Sequence, residues 1–181
     1  MADWVALLAW RRDAIVSGEL WRLVTGHLVH YSSWHTLLNV IGAALVFALY
    51  GRRFARYEWL ALLIVAIATI DVGLQYGTDV EWYVGASGVL HAAMAAGITD
   101  DVLRRERFAW AIAVVGVAKL VYEQWAGSIP WLGVLAPAPD LGREMPVIFA
   151  AHLWGVSAGV MWALARILLQ RVRASRPASR R

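Results

Sequence analysis

The chain has 181 residues, 60% of them hydrophobic, with a mean hydropathy of +0.55, 11 Trp and no Cys. That content excludes an ordinary water-soluble domain and marks an integral membrane protein in one domain, and the missing Cys excludes disulfides and thiolate chemistry. The net charge of +4 and pI near 9.8 do not point to nucleic acid, because 12 of the 17 basic residues lie after alternate apolar runs or in the C-terminal tail.

Met1–Trp10 is apolar but has no basic n-region and no small-residue cleavage site before Arg11-Arg12-Asp13, so it does not read as a cleavable signal peptide. Ala2–Trp10 reaches about 13 Å as a helix, under half of the roughly 30 Å hydrocarbon thickness. It is expected to be the remnant, or the C-terminal end, of a first span whose start lies upstream of Met1. Residues 11–33 read as an amphipathic, non-spanning outer stretch holding Trp21, Arg22, His27 and His30.

Apolar runs follow at 34–50, 59–76, 82–98, 108–126 and 146–169. Each is close to the roughly 20 residues a transmembrane helix needs. Backbone groups unsatisfied in lipid force these runs into helices. The fold expected is therefore an all-α, polytopic transmembrane bundle: five full spans plus a short N-terminal apolar segment. Residues 1–181 form a single membrane domain, with 1–33 as N-terminal remnant and outer loop, 34–169 as helical core and 170–181 as basic tail. Trp34, Trp59, Trp82, Trp110 and Trp125 sit at or near run ends, as an aromatic belt requires.

Charge sets the orientation. Arg52, Arg53 and Arg56 follow the first run, and Arg104, Arg105 and Arg107 the third. Arg166, Arg171, Arg173, Arg176, Arg180 and Arg181 close the chain. The intervening loops are assigned Asp71, Asp79, Glu81, Asp140 and Glu144, with Arg143 as their basic residue. The positive-inside rule puts the Arg-rich turns and the C-terminus in the cytoplasm, the tail serving as topology signal and anionic-lipid anchor. Residues 127–145, with Pro130, Pro137 and Pro139, read as an outer loop able to cap the site; Pro146 opens the last helix and puts His152 about two turns down it.

Polar groups within the runs carry the chemistry, since intramembrane ionisable residues mark functional sites. Gly85-Ala86-Ser87-Gly88 by itself reads as helix packing. His152 is harder to dismiss: with Gly155 and Gly159 it shares one helix face, and that seam can press against the small-residue helix bearing Ser87. The approach would bring imidazole to hydroxyl, the nucleophile–base contact of acyl transfer. His35 and Asn39, four residues apart, can aim two donors at an oxyanion together with the Ser87 N–H, or simply tie helices together. Zinc held by His27, His30 and His35 is disfavoured, because no His-Glu-x-x-His occurs and no carboxylate stands at ligand spacing. Lys119 and Glu123, spaced i,i+4, read as a structural ion pair with snorkelling rather than as catalytic groups.

Together these residues resemble the rhomboid family of intramembrane serine proteases. The match runs through Trp21-Arg22, His30, His35-x-x-x-Asn39, Gly85-x-Ser87-Gly88 and His152-x-x-Gly155-x-x-x-Gly159, over roughly residues 19–165. The resemblance implies that Ser87 is the nucleophile and His152 its base, a dyad with no Asp. It also implies that His35 and Asn39 line the oxyanion hole and that Trp21-Arg22 lies in a membrane-embedded outer loop. Many rhomboids carry Tyr four residues after the serine, stacked on the catalytic histidine; here that position is His91. His91, the small size and Thr25-Gly26-His27-Leu28-Val29-His30 look like the bacterial rhombosortase branch. Its members are thought to cut C-terminal anchors carrying Gly-Gly, an apolar helix and a basic tail. The implied partners are membrane-anchored protein substrates and the lipid bilayer, with no nucleic acid, cofactor or metal. The implied location is the bacterial inner membrane, with the site opening to the outer face. A non-catalytic rhomboid-like binder is the competing reading, and a transporter is a third; no repeat symmetry or pair of broken helices supports the latter.

Overall fold

A computed structural model describes residues 3–126 and 148–175. Its elements in chain order are α1 (Asp3–Leu8), β1 (Trp10–Arg11), α2 (Arg12–Val16), α3 (Arg22–Thr25), α4 (Ser33–Tyr50), α5 (Arg56–Gly77), β2 (Trp82–Tyr83), α6 (Ser87–Leu103), α7 (Ala109–Ala126) and α8 (Phe149–Ala174). Five long helices thus occupy the five apolar runs. Of these, α4, α5 and α8 are long and apolar enough to cross a membrane. The expected capping loop 127–145, Pro146 and the tail beyond 175 lie outside the described residues.

Two boundaries differ from the sequence reading for a physical reason. The third run begins at Trp82, yet its helix begins at Ser87. Trp82 and Tyr83 instead pair antiparallel with Arg11 and Trp10, a short two-stranded bridge beside an otherwise helical fold. The last helix begins at Phe149, which puts His152 in its first turn rather than two turns down. Asp71, assigned above to a loop, is a buried residue inside α5.

Small residues decide the packing. In α6, Gly88, Ala92, Ala93, Ala95, Ala96 and Gly97 are all buried, and the helix packs against α4, α5, α7 and α8. Gly155 and Gly159 of α8 lie directly on its backbone: a Cβ at Gly155 would stand 2.1 Å from the Gly88 carbonyl oxygen, and one at Gly159 2.1 Å from that of Ala92. Both pairings advance by four residues, so the two helices run parallel. Trp154, on another face of α8, lies against Gly73 and Gly77 of α5. Large side chains such as Leu45, Phe47, Ile64, Val115, Val117 and Leu168 point outward, as lipid allows.

Arginines fasten both ends. Arg12 donates to the carbonyls of Leu74 (2.7 Å), Thr78 (2.6 Å), Val80 and Gln75, closing the C-terminus of α5, where carbonyls lack helical partners. Buried Arg22 donates to Ala6 (3.0 Å) and Ala9 (2.7 Å) at the end of α1 and pairs with Glu19 at 2.6 Å; neighbouring Trp21 is exposed. At the opposite end, fully buried Asp100 is held by Arg104 (2.6 Å) and Arg166 (3.1 Å), and Arg166 also reaches Glu58 at 2.6 Å. Arg53 joins this cluster through Asp100 and Asp101. The ends of α4 and α6, the start of α5 and the second half of α8 therefore meet at one end of the bundle. Arginines read above as topology signals are also ion-pair partners.

Candidate active site

Ser87 is the first residue of α6 and His152 lies in the first turn of α8. With the helices parallel and in backbone contact, His152 Nε2 stands 2.9 Å from Ser87 Oγ. His152 is buried, at 5% exposure. Glycine is required just upstream: Gly85 has φ +112°, in the left-handed region, and the His35 ring lies 2.5 Å from where a Cβ would project. Its N–H donates to the Gly26 carbonyl at 2.9 Å, tying the serine turn to the N-terminal loop.

The small cleft above the serine is lined by Tyr31, His35, Tyr83, Val84, Ser87 and Ile148. The N–H groups of the first turn of α6 have no carbonyl partner within the helix, and the helix dipole adds partial positive charge there. Asn39 lies deeper on α4, buried, with one amide N–H on the His35 carbonyl at 2.9 Å and its oxygen unpartnered. A side-chain amide has two N–H donors, so one remains. His35 thus lines the cleft, and Asn39 lies one helical turn further along α4.

His91 stacks on His152, with ring centroids 3.9 Å apart and planes 15° from parallel. Its Nδ1 bonds the Ser87 carbonyl at 2.7 Å. On the far side of His152, Glu123 Oε2 meets Nδ1 at 3.1 Å, and Glu123 Oε1 is 2.8 Å from Lys119 Nζ, which also contacts His91 Nε2. The expected Lys119–Glu123 pair is present, and Glu123 in addition meets the His152 ring, a contact the sequence reading did not include. Glu123 is buried and directed at His152. The signal was present in the sequence as two charges in an apolar run, and surface-pair reasoning set it aside.

His27, His30 and His35 do not converge on one point. His27 bonds Asp71 at 3.1 Å, while His30 and His35 meet edge to face at 4.9 Å between centroids. Burial holds the His30 imidazole below its ordinary pKa. Among the described residues the set close enough to share a metal ion is His91, Glu123 and His152, within 4.8 Å of one another, and the Lys119 ammonium already bonds two of the three. Tyr83, which sequence reasoning missed, is buried with its hydroxyl 2.5 Å from the Gly85 carbonyl, bracing the serine turn. Nothing in its local sequence distinguishes it from a belt aromatic.

Comparison with known proteins fits this geometry. The rhomboid domain family matches residues 17–169. The chain is also similar to rhomboid protease GlpG of Haemophilus influenzae, 28% identical over 149 residues that cover 80% of this chain and 68% of that protein. A match spanning most of the chain, over a helical bundle that brings a serine and a histidine together, places it in the rhomboid family of intramembrane serine proteases.

Proposed function

We propose that Ser87 is the nucleophile and His152 the general base of peptide-bond hydrolysis within the outer half of the bilayer. The observation that carries this reading is the 2.9 Å contact between His152 Nε2 and Ser87 Oγ. The hydroxyl proton passes to Nε2 as Oγ attacks the carbonyl carbon; the imidazolium returns that proton to the leaving amine, and water then hydrolyses the acyl-enzyme. His35, the free N–H of Asn39 and the Ser87 N–H hold the oxyanion. Both reacting groups sit at helix N-termini, at shallow depth, so water need not cross the bilayer to reach them. The N-terminal loop bearing Trp21 and Arg22 braces that end.

The proposed orientation puts the Asp100–Arg166 end and the C-terminus in the cytoplasm and the serine toward the outer face of a bacterial inner membrane. Substrates are membrane-anchored proteins. His91 in place of tyrosine, with its stacking on His152, supports the rhombosortase branch and C-terminal Gly-Gly-type anchors. Fluorophosphonate labelling in detergent tests the chemistry: wild type labels, whereas Ser87→Ala does not. Release of a reporter from an anchor of Gly-Gly, apolar helix and basic tail, but not from one with the Gly-Gly replaced by Leu-Leu, tests the branch.

A further inference from the structure

We infer that Lys119, Glu123 and His91 form a closed hydrogen-bond circuit that fixes the tautomer and ring plane of His152. The inference rests on the proposed roles of Ser87 and His152. These three act through the base and are positioning residues.

The circuit has only one consistent set of proton positions. Lysine offers donors and no acceptor. The contact from Lys119 Nζ to His91 Nε2 therefore requires a bare Nε2, which places the His91 proton on Nδ1, where it donates to the Ser87 carbonyl at 2.7 Å. Lys119 likewise donates to Glu123 Oε1 at 2.8 Å, holding the carboxylate so that Oε2 faces His152 Nδ1 at 3.1 Å. An ionised carboxylate only accepts, so His152 carries its proton on Nδ1, and Nε2 is bare toward the serine hydroxyl 2.9 Å away. The path leaves Ser87 through its hydroxyl and returns to Ser87 through its carbonyl. His91, stacked at 3.9 Å, confines the His152 ring to its plane. This supplies the third member that orients a base in nucleophile–base–acid triads.

The directionality yields an ordering that packing does not. In Glu123→Gln the amide oxygen must face Lys119, which leaves the amide NH2 facing His152 Nδ1. His152 is then forced to carry its proton on Nε2 and cannot accept from Ser87. Glu123→Ala imposes no tautomer. Glu123→Gln, although nearly isosteric, is therefore expected to lose about 10³–10⁴-fold in kcat, more than Glu123→Ala, with KM little changed. Adding Lys119→Met to Glu123→Gln frees the amide to turn, and kcat recovers at least about tenfold over Glu123→Gln alone.

The variants are compared in proteoliposomes by anchor cleavage and by the rate of fluorophosphonate labelling. Glu123→Gln at or above the activity of Glu123→Ala, or a Lys119→Met addition that only harms, overturns the circuit. Persisting activity in Ser87→Ala overturns the underlying reading instead, so the two failures are distinct. Should Glu123→Gln not fold, ¹⁵N chemical shifts of His152 in the wild-type enzyme decide: a protonated Nδ1 and bare Nε2 are expected, and the reverse overturns the assignment.

Discussion

Replacing Gly155 with alanine tests how closely the reaction depends on the α6–α8 seam. The new Cβ would meet the Gly88 carbonyl oxygen at 2.1 Å and its carbon at 2.9 Å. Carbon–oxygen approaches in helix interfaces settle at roughly 3.3–3.6 Å, so the backbones must separate by about 1.2 Å at this point. Gly155 lies one turn from His152, and Gly88 adjoins Ser87. Most of the displacement is therefore expected to appear in the 2.9 Å Nε2–Oγ contact, opening it to about 4 Å, beyond hydrogen-bond reach. A misplacement near 1 Å lowers rate by about 10²-fold, and overpacking lowers stability by about 1–3 kcal/mol. Gly116→Ala is the control, because a Cβ there meets nothing within 4 Å; it should leave the rate unchanged and raise helix stability by about 0.5–1 kcal/mol. Cleavage of a reporter anchor in proteoliposomes gives the rates, and thermal unfolding in detergent gives the stabilities. Full activity and unchanged melting in Gly155→Ala would refute the argument that backbone contact holds the dyad.

Ser87→Ala and His152→Ala are each expected to abolish cleavage, with the double variant no worse than either, because groups acting as one unit are non-additive; additive losses measured by single-turnover kinetics would separate their roles. Asn39→Leu removes the remaining N–H donor while keeping bulk, and should lower kcat about a hundredfold with unchanged melting if that donor serves the oxyanion; an unchanged kcat returns Asn39 to helix support. Arg12→Ala strips the donors from the α5 C-terminus and should lower stability by about 1–3 kcal/mol, with Arg12→Lys recovering little because an ammonium cannot span those carbonyls. His30, held below its ordinary pKa by burial, binds its proton more readily when unfolded. Its contribution to stability is therefore complete above about pH 6.5 and is lost as pH falls toward the depressed folded value. Melting measured from pH 8 to pH 5 should fall less steeply in His30→Gln than in wild type.

The long helices were legible because five apolar runs in lipid have no other backbone solution. The Ser87–His152 approach was legible because His152, Gly155 and Gly159 share a face that only a small-residue helix can receive. Local pattern could not supply pairings between distant segments. Nothing in Trp10-Arg11 announces Tyr83 and Trp82 as strand partners far along the chain, and hydropathy extends the third run back to Trp82 because belt aromatics look like span. The contact of Glu123 with His152 was hidden for a related reason. Spacing of i,i+4 identifies Lys119 as its partner along the helix, but only the placement of α7 against α8 reveals that the second carboxylate oxygen faces an imidazole. Asp71 was misplaced because an acid near a run end resembles a loop residue until His27 is seen against it.

The ion cluster at the far end of the bundle bears on the chemistry at the near end. A seam of glycine and alanine has no large side chains to act as teeth, so little in it resists sliding or rotation of α8 along α6. A slip of one helical turn would carry His152 about 5.4 Å past Ser87. Arg166 on α8, bonded to Asp100 on α6 and to Glu58 on α5, supplies the stop. Asp100 lies 13 residues from Ser87, about 20 Å along the axis. The smooth seam sets the distance between Ser87 and His152, and a charged latch at the other end of the bundle sets their level.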